Sequence, residues 1–178
     1  MIRRIFDAAF LLIFCTVAWL DRSYLGTANR WDFAPAADQI KVSGLPLESF
    51  FQQKATPPPL ADRAVTGEPL VAGGKLFESG IGVHADSVLR FKTAGAFRRF
   101  RSTIGITGEA AGLGSVQFTV LADGEALYTS PVFHQSGDYQ HIDIDIGAAI
   151  LVELRVNDGG DGTRYDHGAW IDPEFIPR

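Results

Sequence analysis

From Val65 onward apolar and polar residues alternate with a period of two, the pattern of half-buried β-strands. In "SVLRFKT" Leu89 and Phe91 share one face against Arg90 and Lys92, and in "FRSTIGI" Phe100, Ser102, Ile104 and Ile106 alternate with Arg101 and Thr103. "SVQFTVLADGEALYTS" sets Val116, Phe118 and Val120 inward, turns at Asp123-Gly124 and returns through Leu127. Asp-Gly between alternating segments predicts a hairpin, because a type I′ turn needs two positive φ angles that these residues tolerate. "HIDIDI" places Ile142, Ile144 and Ile146 inward with Asp143 and Asp145 outward; "ILVELRV" places Ile150, Val152, Leu154 and Val156 inward with Glu153 and Arg155 outward. No amphipathic helix of three turns follows residue 65. The fold predicted for 65–178 is all-β, an antiparallel two-sheet sandwich of jelly-roll type.

The first 64 residues follow other patterns. Arg3 and Arg4 precede an apolar run from Ala8 to Leu20, and Asp21 and Arg22 follow it, which reads as a signal peptide or a signal anchor. The run is shorter than the roughly 20 residues of a full span, but Ile5 and Phe6 extend it, and Asp7 is spaced to pair with Arg3. "LDRSY" offers no small residues at cleavage positions, so residues 1–25 are expected to be retained as one transmembrane helix in an inner membrane. The positive-inside rule then puts the N-terminus in the cytoplasm and the C-terminal domain in the periplasm. Phe6, Phe10, Phe14 and Trp19 would meet the lipid bilayer or partner helices. Residues 26–64, with "APAAD" and "TPPPL", read as an extended tether whose later part enters the domain. Trp31, Phe33, Phe50 and Phe51 are too apolar for a solvated linker, and are expected to lie against the domain or a partner.

Composition narrows the function. A chain of 178 residues suits one domain plus attachments. Formal net charge is −5 at pH 7, and residues 1–25 carry +1 of it, which leaves the remainder acidic enough to repel a phosphate backbone; nucleic acid is excluded as a partner. The single cysteine, Cys15, lies in the apolar run, so there is neither an internal disulfide nor a thiol nucleophile in the domain.

The stretch "DGGDGTRYDHGAWID", 158–172, concentrates the candidate chemistry, and four uses of it compete. Asp158, Asp161, Asp166 and Asp172 are oxygen donors of the kind calcium takes, yet the spacing is not that of an EF-hand, because Gly168 falls where the bidentate glutamate belongs. Catalysis is not expected: Asp166 and His167 are adjacent and would point to opposite faces of an extended segment, so the chain is read as no enzyme. A structural use has His84 of "GIGVHA", Asp166, His167 and Trp170 tying the last loop to the sandwich, with Trp170 buried between the sheets and donating its N–H to a loop carbonyl. A sugar site would draw an aromatic platform from Phe133, His134, Tyr139 and Tyr165, with Asp158, Asp161 and Arg164 gripping hydroxyls. Protein interfaces use the same exposed aromatics.

Three segments, "PLVAGGKLFESGIGVHADSVLRF" (69–91), "IGITGEAAGLGSVQFTVLADGEALYTS" (104–130) and "LRVNDGGDGTRYDHGAWID" (154–172), together resemble the NPCBM domain family over about residues 40–178. The resemblance implies a galactose-binding-like β-sandwich. Members are commonly appended to glycoside hydrolases, and some are similar to galactose-binding modules with a structural calcium, here at Asp158, Asp161 and Asp166. No hydrolase domain accompanies the module in these residues. The leading expectation is therefore a non-catalytic accessory subunit of a bacterial membrane complex, photosynthetic or respiratory in type, docking its sandwich on an integral membrane partner. The alternative is a membrane-anchored carbohydrate-binding module of galactose type.

Overall fold

The computed structural model describes residues 34–35, 41–42, 45–54, 57–110, 112–134 and 137–178. Fifteen strands occur among them, and the only helical element there is a single 3₁₀ turn, Gly108–Ala110. The first sheet runs β1(Ala34–Pro35), β4(Ser49–Gln52), β9(Ser87–Lys92), β14(Leu151–Asn157), β11(Gln117–Ala122), β12(Glu125–Thr129). The second runs β13(Tyr139–Asp145), β10(Phe97–Ile106), β15(His167–Pro177), β8(Gly80–His84), β5(Leu60–Ala61). Two small hairpins, β2(Lys41–Val42) with β3(Leu45–Pro46) and β6(Leu70–Ala72) with β7(Lys75–Phe77), complete the set. Every pairing in the two main sheets is antiparallel. The all-β two-sheet sandwich expected from the alternation is what forms.

The core is made of the inward positions of facing strands. Leu89, Phe91, Phe118, Val120, Val152 and Leu154 of the first sheet meet Val83, Phe100, Ile104, Ile106 and Trp170 of the second, all with no exposed surface. Trp170 binds the layers together, with its ring edge-on to Phe118 at 5.1 Å and to Phe100 at 6.1 Å. Burying a side chain of this size is worth on the order of 3 kcal/mol.

The hairpin expected at Asp123-Gly124 is present, with φ of 49° and 87° at the two turn residues. A register shift between Val120 and Leu121 leaves Leu127 without a partner, so it turns out to solvent while Tyr128 packs on the core. Ile150 also departs from its expected inward place: it precedes β14 and is 65 % exposed. Asp123 is why that turn is fixed, since its carboxylate accepts the amide hydrogens of Ile150 and Leu151 at 3.0 and 2.9 Å.

Leu47 is buried, and Phe50, on β4 next to β9, packs against the core of the sandwich; Phe51, the next residue, is half-buried. Phe50 therefore belongs to the domain's own packing. Phe6, Phe10, Phe14, Trp19, Trp31 and Phe33 lie outside the described residues. Among the described residues no helix is long and apolar enough to cross a membrane. The strand ends at Gln52, His84, Ile106, Thr129 and Asn157 gather at one end of the sandwich.

Candidate functional site

The β14–β15 loop lies at that end, and its local chemistry explains its shape. Asn157 and Asp158 each fold back on the backbone, their Oδ1 atoms accepting the amides of Gly159 and Gly160 at 3.0 Å. Such turns need residues that accept positive φ, which Gly159 and Gly160 supply. Ser115 of the β10–β11 connection then pins the loop from the side. Its hydroxyl lies 2.6 Å from Asp161 Oδ1 and 2.9 Å from the Asp158 carbonyl, and its amide donates to Asp166 Oδ1 at 2.8 Å. From below, the Ala85 amide donates to the Asp166 carbonyl at 3.0 Å. Gly114 lets the two connections touch, because a Cβ there would overlap the Tyr165 backbone.

Held this way, Tyr165 takes the left-handed conformation at φ 66° and presents a partly exposed ring. Non-glycine residues at such angles are uncommon, and they cluster where a side chain must be aimed. The Arg164 guanidinium sits 5.1 Å from the centre of that ring, within cation–π range. Leu113, 66 % exposed, comes from the neighbouring connection. Together with Asp161 and Gly162 these residues line an open cleft of about 350 Å³.

Beneath the cleft lies a buried polar layer. His84 donates from Nδ1 to the Ala85 carbonyl at 2.5 Å and meets the His167 ring edge-on at 5.2 Å. Burial holds His84 below the ordinary histidine range. It drives His167 down to about 4, helped by the charges that His84 and Lys54 would present, so both rings are neutral near pH 7. Glu109, with a carboxylate oxygen 3.7 Å from His167 Nδ1, is raised by burial. Asp166 has no exposed surface, and its proton is held up to about 7 by burial, reinforced by Asp161, Asp158 and Asp86 and opposed by the Ser115 hydrogen bond. The Thr107 hydroxyl donates to Glu109 Oε1 at 2.8 Å beside His167, and the backbone bonds of this layer hold the loop from beneath.

The metal expectation can be set against this geometry. Asp158, Asp161 and Asp166 each spend an oxygen on an amide or hydroxyl of the loop region. Among the described residues no group of three or more His, Cys, Asp or Glu side chains converges as a metal ion's donor set would.

Of the residues expected to form a sugar platform, the fold brings Asp161, Arg164 and Tyr165 together, with Asp158 behind them as a turn anchor. Phe133 is corrected: it is 6 % exposed, bridges to Val116, and packs its ring at a tilt against Phe118 at 5.8 Å, so it is core rather than platform. Tyr139 is elsewhere, on β13 beside the β6–β7 hairpin, where its hydroxyl accepts a hydrogen bond from Lys75 Nζ at 3.1 Å. His134 is exposed in the 130–138 connection, and its amide donates to Asp138 Oδ2. Trp170 is buried as expected, but its Nε1 finds no loop carbonyl; it is without a partner among the described residues, as are His84 Nε2 and Asp166 Oδ2. Leu113 escaped the sequence reading. The one signal for it was an apolar residue between two glycines, Gly112 and Gly114, in an otherwise small and polar connection.

The profile of the NPCBM/NEW2 domain matches residues 38–176. A Renibacterium salmoninarum protein named as an endo-alpha-N-acetylgalactosaminidase is 33 % identical over 110 residues, 62 % of this chain and 7 % of its own length. Alpha-1,3-galactosidase B of Akkermansia muciniphila is 26 % identical over 175 residues, 97 % of this chain and 22 % of its own. The chain thus spans a small part of these curated relatives. Among solved structures, the CBM51 of Clostridium perfringens GH95 in complex with methyl-galactose superposes with a TM-score of 0.67 at 25 % identity, covering 77 % of this chain and 99 % of that one. CBM51-2 of Clostridium perfringens ZmpB in complex with GlcNAc gives a TM-score of 0.67 at 26 % identity over 74 % of this chain and 30 % of that one. These findings overturn the expectation of an accessory subunit in a photosynthetic or respiratory membrane complex. That reading drew on residues 1–51, most of them outside the described structure, whereas the whole sandwich carries a likeness to carbohydrate-binding modules.

Proposed function

Because the chain belongs to the NPCBM/NEW2 domain family, we propose that it is a non-catalytic glycan-binding module that takes a galactose-type sugar in the loop-end cleft. The observation that carries the reading is the convergence of Tyr165, Leu113, Asp161 and Arg164 on one open cleft. Hexoses have an apolar face of C–H groups and an edge of hydroxyls. The Tyr165 ring and Leu113 offer a surface for the first; Asp161 accepts from hydroxyls and Arg164 donates to them. Ser115 and Asp166 hold these groups before the ligand arrives, which lowers the ordering cost of binding. The relatives that bind methyl-galactose and GlcNAc support the substrate class. The arginines and apolar run at the N-terminus support a place outside the cytoplasm, where such glycans are met.

Calorimetric titration of the purified chain with methyl-galactoside and GlcNAc, with calcium and with chelator, tests this. Binding is expected for the wild type, retained in Tyr165→Phe and weakened about tenfold or more in Tyr165→Ala, a loss of about 1.4 kcal/mol or greater. Loss of binding in chelator would assign a cation to the loop of Asp158, Asp161 and Asp166. The reading is withdrawn if neither these sugars nor a broad glycan panel bind.

A further inference from the structure

A second groove, of about 420 Å³, shares no lining residue with the cleft of Tyr165 and lies on the outer face of the five-stranded sheet. Half of that face is covered: the β6–β7 hairpin packs Leu70 and Ala72 on Ala169 and Ile171, and Gly73 against the Tyr139 ring. Next to the covered half, Thr103 and His141 pair across β10 and β13, and Arg101 pairs with Asp143 two residues along. The ladder between β10 and β15 is interrupted between Arg101 and Thr103, and the Ser102 hydroxyl bridges the gap to the Ile171 carbonyl at 2.9 Å. At the same bulge Asp172 adopts φ 44° and lines the groove. Bulges of this kind re-aim side chains.

The side chains there are fixed by bonds to one another, a minority pattern on protein surfaces. Thr103 Oγ1 and His141 Nδ1 are 2.6 Å apart, which leaves the other ring nitrogen for a ligand. Asp143 accepts from Arg101 Nε at 3.0 Å and from Arg99 Nε at 2.6 Å, which leaves the terminal N–H groups of Arg101. Asp172 adds a carboxylate. Donors and acceptors thus alternate over a short rigid span. Vicinal hydroxyls, each of which both donates and accepts, match that alternation. Arg99 and Arg101 are balanced by Asp143 and Asp172, so the groove offers no net charge to draw in a sulfate, a uronate or a cation.

Resting on the reading of the chain as a glycan-binding module, we propose that this sheet-face groove is a second site for a neutral sugar, independent of the loop-end cleft, with Arg101, His141 and Asp172 contacting its hydroxyls. Two sites on one rigid body would raise avidity for a branched or repeated glycan without any new contact.

The test is a titration of the ¹⁵N-labelled full-length chain in mild detergent with methyl-galactoside and with GlcNAc, followed by amide chemical shifts. Two separately saturating clusters are expected, one around Leu113 and Tyr165 and one around Thr103, His141 and Asp172. Tyr165→Ala should abolish the first and leave the second. Asp172→Asn, a residue that tolerates the left-handed angle, and His141→Ala should weaken the second at least tenfold, leave the first unchanged and preserve the remaining spectrum. A single cluster at Tyr165 overturns the second site while the module reading stands; no cluster for either sugar overturns both.

Discussion

Asp166 is wholly buried and shares its surroundings with three other carboxylates, so folding favours its protonated form and holds its proton up to about 7 against a starting value of 3.8. For a carboxylate raised in this way, the stabilisation is complete below the unfolded value and is lost as pH rises through the folded one. His167 works in the opposite sense. Its folded value, about 4, lies below the unfolded 6.5, so its share of stability falls as pH drops through that range. The two slopes oppose each other in the wild type, and a variant is needed to separate them. Asp166→Asn keeps an oxygen for the Ser115 amide and removes the charge. Its Tm is expected to exceed that of the wild type at pH 8, with the gap closing toward pH 4; a gap independent of pH would mean that Asp166 does not titrate in this window. None of this was legible in "RYDH", since Ser115 and Asp86 reach Asp166 from other connections, and burial and the nearness of Asp158 and Asp161 arise only once the loop has folded.

At the scale of elements, β8 shows why "GIGVHA" carries the glycines it does. The strand lies between β15 and β5, all five residues are buried, and the chain segment 63–65 crosses directly over Gly82. A Cβ at Gly82 would come well inside 3.0 Å of backbone atoms of Arg63, Ala64 and Val65, none of which can rotate away. Gly82→Ala is therefore expected to destabilise the fold by about 3 kcal/mol, the upper part of the range for overpacking, as read from the midpoint of denaturant unfolding. The alternation in β14 was legible and correct in direction: Glu153 does point to the outer face. It is nevertheless only 4 % exposed, because Arg90 and Arg155 close over it at 2.7 and 2.5 Å. Burial raises the Glu153 carboxyl, but the hydrogen bonds from Arg155 and Arg90 outweigh that and hold it below its ordinary value. Pattern alone gives the face of a side chain and not its cover.

For the whole molecule, the sandwich separates its two ends. One carries the cleft of Tyr165; the other carries the Asp123 turn, with Leu127 and Ile150 exposed beside it. Ile150→Lys is expected to change stability by no more than about 0.5 kcal/mol and to leave the affinity for methyl-galactoside unchanged, by thermal unfolding and calorimetry on the same sample. Altered binding would show that the two ends are coupled. The period-two alternation, the Asp-Gly turn and the family motifs determined the all-β sandwich by themselves, because a strand's inward face and a turn's φ angles are local demands that neighbouring residues either meet or fail. Which aromatic remains exposed was decided only in three dimensions. Phe133 and Tyr165 both read as loop aromatics, yet strand order buries the first on Phe118 and brings Leu113 and Gly114, distant in the chain, beside the second. Burial and loop meetings depend on which strands pair, and that is a property of the assembled sheets.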